Sequence, residues 1–323
     1  MAVFFALVLF ACGLFLIIKG GDILVRAALR LNQVTGINQV IIGATFVSIA
    51  TTLPEVFVSI FAVIRDNHGI AVGNAIGSMI ANVALVLALS LAFLPQKYSR
   101  KEILGKSLFL LLITIIVFLF ALNLKMSWYE GLILLTAFAV FLMFNARAAQ
   151  PQGQLLTEPV KPKHERGVYW KIALGFIIGQ LMLVAGAFVL VENGERIAHL
   201  FNISETVIGF TIIAVGTSLP ELTTAIVSIK RKSGGLAIGN VIGANIINCT
   251  LLLGVCGIIG DINGSELPVS RETVFIAIPV LMVLSAIAIL PMILKRRTYR
   301  WQGFVLLALY AAYISYLVVM QPA

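Results

Sequence analysis

The chain has 323 residues, of which 60% are hydrophobic and only 11% are charged, and its mean hydropathy is +1.04. Soluble proteins carry about 25% charged residues, so this composition excludes a soluble domain and indicates a protein that crosses a membrane several times. The net charge of +9 comes from basic residues in short clusters between apolar runs, as in cytoplasmic loops, so nucleic-acid binding is not expected. The three cysteines lie within apolar segments, which argues against a disulfide framework.

Segments apolar and long enough to cross a bilayer as helices, which takes about 20 residues, occur ten times along the chain. In chain order they are 3–25, 38–64, 70–94, 105–123, 128–146, 169–192, 205–229, 236–259, 273–294 and 301–319. A hydrophilic stretch at 147–168, rich in Pro, Gln, Lys and Glu, separates two groups of five. The sequence therefore predicts an all-α membrane protein, with a first five-helix repeat at 1–146, a cytoplasmic linker at 147–168 and a second five-helix repeat at 169–323.

The distribution of Lys and Arg predicts how these helices are oriented. Loops on one side of the membrane, including the 147–168 linker, carry 18 of the 23 basic residues, whereas loops on the other side carry four. Because cytoplasmic loops are enriched in Lys and Arg, we expect the linker in the cytoplasm and both termini outside the cell. The expected location is the cell (inner) membrane.

The two halves contain an internal repeat. Residues 42–82 and 208–248 align without a gap at an offset of 166, and 17 of the 41 positions are identical. The identities include Thr-x-Leu-Pro-Glu and Gly-Asn-x-Ile-Gly. Because each half contains five predicted spans, an odd number, the second copy would enter the membrane upside down. Inverted-topology repeats are typical of secondary transporters, which bind substrate near the bilayer midplane where the copies meet.

Two carboxylates are predicted to lie in the middle of apolar helices. They are Glu55 and Glu221, at equivalent positions of the repeat, and they directly follow Pro54 and Pro220. An ionisable residue at that depth costs roughly 2.5–3.5 kcal/mol or more and is a functional candidate by default. By contrast, Lys19 and Asp22 lie three residues apart near the inner end of the first helix, where they can pair with each other, and we expect a structural role for them.

The turn before each glutamate adds neutral oxygens. Each proline lacks the N–H that would bond a carbonyl four residues earlier, so the carbonyls of Ala50 and Gly216 are expected to be free. Hydroxyl side chains precede each glutamate by four and three residues and share its helix face. They are Thr51 and Thr52 in the first half and Thr217 and Ser218 in the second. Carboxylates, hydroxyls and carbonyls at one depth are the ligands that hard cations require.

The following helix of each half carries a second stripe of small and polar residues. They recur every four positions, as Asn74, Ser78 and Asn82 and as Asn240, Ala244 and Asn248. The interleaved glycines, Gly73 and Gly77 in the first half and Gly239 and Gly243 in the second, are expected to let this helix approach the proline-broken helices closely. For Asn74 and Asn240, a role in the site and a role in joining helices stay equally open.

These segments resemble a known family. The paired Leu-Pro-Glu and Gly-Asn-x-Ile-Gly motifs in a five-plus-five inverted repeat look like those of the sodium/calcium exchangers of the cation/calcium antiporter superfamily. The resemblance implies exchange of Na⁺ for Ca²⁺ by alternating access. It also implies that Glu55 and Glu221 coordinate Ca²⁺ and share in binding Na⁺. The first helix of each half, 3–25 and 169–192, would slide past a fixed core.

The resemblance also implies further ligands around the two glutamates. They are the hydroxyls of Thr51, Thr52, Thr217 and Ser218, the carbonyls of Ser48 and Ala214, and the side chains of Ser78, Asn82 and Asn248. The sequence departs from the family pattern at four places. Ala50 stands where glycine is usual, Met79 where the second copy has Asn245, Ala244 where the first copy has serine, and Asn248 where many relatives have Asp. Two carboxylates neutralise one Ca²⁺ but not three Na⁺.

The same sequence argues against other classes of function. The sequence has no His-Glu-x-x-His motif, no pair of intramembrane aspartates and no histidine well inside a span, so neither an enzyme nor a resident cofactor is expected. A passive cation channel also lines its pore with glutamates, but the inverted repeat favours a carrier. Among carriers, a proton- or potassium-dependent cation/calcium antiporter of the same fold stays the alternative. We expect a monomer in the lipid bilayer, with Ca²⁺ and Na⁺ as its ligands.

Overall fold

The computed structural model of the chain describes residues 2–149, 167–200, 218–264 and 266–320. Within these residues the chain forms ten helices and two short strands. The helices of the first half are α1 (Ala2–Thr35), α2 (Gln39–Ile64), α3 (His68–Phe93), α4 (Arg100–Ala121) and α5 (Trp128–Ala148). Those of the second half are α6 (Val168–Leu200), α7 (Leu219–Lys230), α8 (Gly234–Ile262), α9 (Thr273–Lys295) and α10 (Arg300–Met320). Strands β1 (Lys125–Met126) and β2 (Leu267–Pro268) pair in antiparallel fashion.

Each predicted span coincides with one of these helices over the residues that the structure describes. Eight of the helices are long and apolar enough to cross a membrane; α7 and α10 are outside this set. Of the predicted span at 205–229, only the part from residue 218 onward is described, and α7 contains 12 residues. The molecule is therefore a helical membrane protein.

Helix α1 is longer than the predicted first span and ends only at Thr35. In the added turns Leu31 is buried while Arg30 is exposed, so an amphipathic pattern continues the helix after the uniformly apolar stretch has ended. Gly36 then ends the helix with a φ of +70°, and its N–H donates to the Asn32 carbonyl at 2.8 Å.

Asp22 on α1 pairs with two arginines rather than with Lys19, so the Lys19–Asp22 pair that the spacing allows does not form. The Asp22 carboxylate forms ion pairs with Arg26, one turn further along α1, and with Arg231, just after α7. The Lys19 ammonium lies 5.8 Å from the centroid of the Phe15 ring instead. Spacing along α1 considers only partners on the same helix, whereas Arg231 approaches from another one.

Helices α3 and α8 are the most buried and form the centre of the molecule. Helices α2 and α7, which carry the two glutamates, pack against them, while α4, α5, α9 and α10 cover their outer faces. Helices α1 and α6 pack mainly on each other at the side. The glutamate-bearing helices therefore lie between the centre and this outer pair.

Glycines bring α1 and α6 into backbone contact. A Cβ atom added to Gly13 would lie 2.9 Å from the Gly186 carbonyl oxygen, and one added to Gly20 would lie 2.8 Å from the Gly179 carbonyl oxygen. The two helices therefore run antiparallel and touch through their main chains. Such crossings are typical of close helix pairs in membranes, where small residues permit the approach.

Several helices contain a π-helical stretch. In α3 it covers Asn82–Leu87 and in α8 Asn248–Leu252, so in both cases it begins at one of the asparagines of the polar stripe. In α2 the stretch Gly43–Val47 precedes the glutamate by two turns. Single-turn π-helices are frequent at functional sites because they change the direction of side chains within a continuous helix.

Candidate ion-binding site

The two predicted carboxylates lie in one buried site. Glu55 on α2 and Glu221 on α7 are both fully buried. The Thr52 hydroxyl donates to Glu221 Oε1 at 3.4 Å, and Thr52 lies one turn before Glu55 on α2. Neither glutamate has a basic partner among the ion pairs of the described residues. The negative charges of the site are therefore not balanced by a Lys or Arg in the described part of the chain.

Pro54 does not break α2 in the way predicted from the sequence, and the residues before Ser218 that would show the effect of Pro220 lie outside the described residues. Helix α2 continues through Pro54 as the regular α-helical segment Ser48–Ile64. The effect of Pro54 is local, because the ring lacks the N–H that would donate to the Ala50 carbonyl. Pro220 lies in the first turn of α7, where a missing N–H removes no helical hydrogen bond.

Buried polar atoms that have no hydrogen-bond partner among the described residues occur on the elements around the two glutamates. They are both carboxylate oxygens of Glu55, Oε2 of Glu221, the hydroxyls of Ser78 and Ser218, both amide atoms of Asn82 and Asn248, and Oδ1 of Asn245. Helix α7 packs against the π-helical stretch that begins at Asn82, and α2 packs against the one that begins at Asn248. An unpaired buried polar group costs about 1–3 kcal/mol, so this group of atoms indicates a ligand that pairs with them.

Asn74 and Asn240 join helices. The amide of Asn74 on α3 donates to the Glu55 carbonyl at 3.2 Å and to Ser59 Oγ at 2.9 Å, both on α2. Asn240 on α8 donates to Thr224 Oγ1 at 3.0 Å and accepts from the Thr51 hydroxyl at 3.3 Å. For these two asparagines the structural alternative is therefore the better supported one.

Thr51 has a second acceptor, the Ser48 carbonyl at 3.4 Å, so this implied ligand oxygen lies beside the Thr51 hydroxyl. The role of Thr224 was not recognised in the sequence. The signal was its position three residues after Glu221, on the same helix face, where Thr224 also donates to the Glu221 carbonyl at 2.9 Å. Thr224 is thus the residue that connects the glutamate turn of α7 to Asn240 on α8.

One position at which the two copies of the repeat differ, Met79 against Asn245, forms a contact between them. The Asn245 amide nitrogen donates to the Met79 carbonyl at 3.2 Å, while its Oδ1 is unpaired. The Met79 sulfur lies 3.2 Å from the Cys249 sulfur. Ala244, which replaces the serine of the first copy, is fully buried one residue before Asn245. The unpaired amide atoms that α8 contributes therefore belong to Asn245 and Asn248.

The predicted close approach is confirmed for α8, where Gly239 and Gly243 contact α2, and it does not occur at the glycines of α3 within the described residues. A Cβ atom added to Gly73 or Gly77 would have no described atom within 4 Å. A Cβ atom added to Gly243 would lie 2.5 Å from Ser48 Oγ and 2.6 Å from the Ala44 Cα atom. Gly239 likewise touches the Val40 backbone. These contacts bring Asn240 within reach of Thr51.

Three of the predicted site residues lie outside the described residues. They are Ala214, Gly216 and Thr217. Over the described residues, the groups brought together are two carboxylates, hydroxyls and amide oxygens. These are oxygen ligands, which Ca²⁺ and other hard cations prefer to nitrogen and sulfur.

The family of this chain is shown by its match to a known family profile. The profile described as sodium/calcium exchanger protein matches residues 5–147 and 171–319. The chain belongs to this family. The resemblance inferred from the motifs is therefore confirmed, and the family consists of membrane antiporters rather than enzymes.

The family assignment agrees with individual relatives over most of the chain. One is Sodium/calcium exchanger MaX1 of Methanosarcina acetivorans, 31% identical, with 94% of this chain and 95% of the relative covered. Another is Inner membrane protein YrbG of Escherichia coli, 35% identical, with 83% of this chain and 84% of the relative covered. Among solved structures, the sodium-calcium exchanger NCX_Mj soaked with Na⁺ and Sr²⁺ matches with a TM-score of 0.83 and 32% identity, covering 96% of this chain and 97% of that one.

Proposed function

We propose that the protein exchanges Na⁺ for Ca²⁺ across the membrane by alternating access around the site of Glu55 and Glu221. The observation that carries the proposal is the set of unpaired buried oxygens on and around these two carboxylates. Two carboxylates balance one divalent cation, and neutral oxygens complete its shell, which for Ca²⁺ contains six to eight oxygens. The same oxygens can hold monovalent Na⁺ after Ca²⁺ has left. The names of MaX1 and NCX_Mj support this substrate pair.

The proposed ligands combine charged and neutral oxygens from both halves. They are the carboxylates of Glu55 and Glu221, the hydroxyls of Thr51, Thr52, Ser78, Thr217 and Ser218, the amides of Asn82 and Asn248, and the carbonyls of Ser48 and Ala214. Because Asn248 is an amide, the side chains of this set carry two negative charges when both glutamates are ionised.

The proposal includes two inverted five-helix repeats. Gly13 and Gly179 are equivalent at the offset of 166, as are Gly20 and Gly186. In the structure Gly13 lies beside Gly186 and Gly20 beside Gly179. The two equivalent helices therefore run in opposite directions, which is what an inverted repeat requires.

Equivalent turns after the glutamate-bearing helices also support the repeat. Asp66 and Lys232, which are 166 residues apart, both have a positive φ, of 60° and 55°. The N–H of Asp66 donates to the Val63 carbonyl and that of Lys232 to the Ile229 carbonyl, each at 3.0 Å. Two non-glycine residues in this rare conformation at equivalent positions are consistent with two copies of one unit.

Alternating access would then occur by movement of α1 and α6 relative to the other helices. These two helices pack mainly on each other, and their glycine crossings provide smooth backbone surfaces. We further propose that both termini lie outside the cell and that the linker is cytoplasmic, as the distribution of basic residues predicts.

The test is Ca²⁺ uptake by purified protein in liposomes. With Na⁺ inside and a Na⁺-free medium outside, radioactive Ca²⁺ should enter, and uptake should stop when the Na⁺ gradient is collapsed. Liposomes without protein are the control. A channel would pass Ca²⁺ down its own gradient without internal Na⁺. A proton-coupled carrier would respond to a pH step, and a potassium-dependent one would require K⁺ together with Ca²⁺. Uptake that is indifferent to internal Na⁺ would overturn the proposal.

A further inference from the structure

A basic groove lies between α1 and α6, away from the glutamate site. It has a volume of about 420 Å³, and its lining includes four basic residues and one acidic residue. These are Lys19, Arg26, Arg30, Lys171 and Asp22. The carboxylate of Asp22 is already engaged by Arg26 and by Arg231 from outside the groove. Lys19 and Arg30 form no ion pair with any residue that the structure describes, so these two residues give the groove an excess of positive charge.

The floor of this groove is small and apolar. A Cβ atom added to Gly175 on α6 would lie 2.9 Å from the Ala27 Cβ on α1, so the two helices meet closely beneath the basic side chains. Ile172 is buried beside this contact. Arg30 is exposed and forms no ion pair with any residue of the described chain. Its guanidinium can therefore bind a group from outside the protein.

The side chains around the groove suit a lipid better than a soluble anion. Towards the middle of the two helices, the exposed side chains are apolar, as with Ile18 on α1 and Ile177 on α6, which are 51% and 53% exposed. At the end of α6 nearest the basic groove, Tyr169 and Trp170 are 64% and 66% exposed. Aromatic residues of this kind occupy the headgroup level of a membrane. Basic, aromatic and apolar side chains therefore lie beside the groove. These are the types of side chain that contact the headgroup, the interfacial region and the acyl chains of a phospholipid.

We propose that this groove binds the headgroup of an anionic phospholipid. The phosphate would bind Arg30, with Lys19 and Arg26 adding positive charge from the same groove, and the acyl chains would lie along the exposed apolar side chains of α1 and α6. Arginine is suited to this role because its planar guanidinium binds phosphate through two parallel hydrogen bonds. The ligand would contact both α1 and α6 and so hold their ends together. This site is independent of the proposed exchange activity.

The test uses the fluorescence of Trp170. A protein with Trp128→Phe and Trp301→Phe retains Trp170 as its single tryptophan and is placed in phosphatidylcholine vesicles. Two vesicle preparations are compared, each with the same low fraction of one brominated lipid. In one preparation this lipid is phosphatidylglycerol and in the other it is phosphatidylcholine. Both are brominated near the carbonyl end of the acyl chain, where bromine quenches tryptophan fluorescence. We expect the brominated phosphatidylglycerol to quench Trp170 more strongly, because it is enriched in the groove.

The double variant Lys19→Gln/Arg30→Gln should remove most of that difference, since each basic residue near a membrane surface contributes roughly a fivefold gain in association with anionic lipid. The matched control is Lys295→Gln/Arg300→Gln, which removes two exposed cations at the ends of α9 and α10 and should keep the difference. Equal quenching by both lipids in the parent protein would overturn the proposal. An equal loss of the quenching difference in the control variant would also overturn the proposal, because it would mean that the overall surface charge attracts the lipid and not this groove. Loss of the difference on adding inorganic phosphate would assign the groove to a soluble anion instead.

Discussion

Hydrogen bonds between helices hold several side chains of the site in place. Asn240 fixes Thr51 and Thr224, and Thr52 reaches across to Glu221. Other buried polar atoms of the site, above all the Glu55 carboxylate oxygens, have no hydrogen-bond partner among the described residues. Two ionised carboxylates in a low-dielectric interior repel each other, so a bound cation has its largest electrostatic effect here. The charge of each glutamate should therefore decide cation binding.

Glu55→Gln and Glu221→Gln should each nearly abolish Ca²⁺ uptake by liposomes. Each replacement removes half of the negative charge while keeping the side-chain shape. A lost interaction with a charged group, at about 1.5–3 kcal/mol, lowers affinity roughly ten- to hundredfold. Glu272→Gln, at an exposed position, is the control and should transport normally. Wild-type rates in either buried variant, with the protein eluting as a single species in gel filtration, would refute the placement of the site.

The hydrogen-bond partners of equivalent residues could not be predicted from the sequence motif. Asn74 and Asn240 are equivalent in the repeat, and the motif predicted both. Their partners differ, because Ser59 lies within reach of Asn74 on α2 whereas Thr224 lies within reach of Asn240 on α7. The partner of an amide depends on the side chains of a neighbouring helix. A motif confined to one segment does not contain that information.

Helices were predicted well in position and less well in their ends and internal geometry. The apolar run identifies the part of a helix that matches the bilayer, and this is why each predicted span coincides with a helix over the described residues. The continuation of α1 to Thr35 depends on burial of one face against other helices. The π-helical stretches that begin at Asn82 and Asn248 are changes of backbone geometry within continuous apolar runs. Hydropathy reports neither of these.

Gly243→Ala should destabilise the protein, whereas Gly257→Ala on the same helix should not. An added methyl group at residue 243 would overlap Ser48 and the Ala44 backbone of α2, and overpacking of this kind costs about 1–3 kcal/mol. At residue 257 the nearest atom, Cγ of Met126, is 3.5 Å away, an ordinary van der Waals distance. Thermal unfolding in detergent measures both. If the two variants unfold at the same temperature, the close approach of α8 to α2 is not what limits stability.

The loop pairing between β1 and β2 should add stability that depends on pH. Lys125 forms an ion pair with Glu266, and the Ser127 hydroxyl donates to Glu266 at 2.6 Å. Hydrogen bonding to Lys125 and Ser127 lowers the pKa of Glu266 from its usual 4.5, and the Glu266 carboxylate raises the pKa of Lys125 from 10.5. A lowered carboxyl pKa gives stability that is present above pH 4.5 and is lost as pH falls through the folded-state pKa. The raised lysine pKa gives stability that is lost as pH rises past 10.5.

Unfolding temperatures of the wild type and of Glu266→Gln, measured from acid to neutral pH, test this. The wild type should be the more stable near neutral pH, and the difference should disappear in acid below the lowered pKa. The exposed Glu272→Gln serves as the matched variant and should show no such convergence. A difference that persists unchanged in acid would mean that Glu266 acts through its shape rather than its charge.

At the scale of the whole molecule, both ends carry a related pairing of loops. The loop before α5 pairs with the loop before α9 through β1 and β2, and the loop before α4 pairs with the loop before α10 through Lys97 and Arg297. An inverted repeat exchanges these two pairs of loops, because it exchanges α4 with α9 and α5 with α10. The two pairings are consistent with the proposed inverted repeat, since oppositely oriented copies form contacts related by a twofold axis in the membrane plane.

Equivalent positions of the two copies should therefore be accessible from opposite sides of the membrane. Asp66→Cys and Lys232→Cys, 166 residues apart in matching turns, test this in a protein whose Cys12, Cys249 and Cys256 are replaced by alanine. Both replaced side chains are exposed. In intact cells a membrane-impermeant maleimide should label residue 66, because the positive-inside rule puts that loop outside, and should label residue 232 only after permeabilisation. Labelling of both residues from outside would contradict the inverted repeat. Labelling of residue 232 alone would keep the inversion and reverse the orientation of the whole protein.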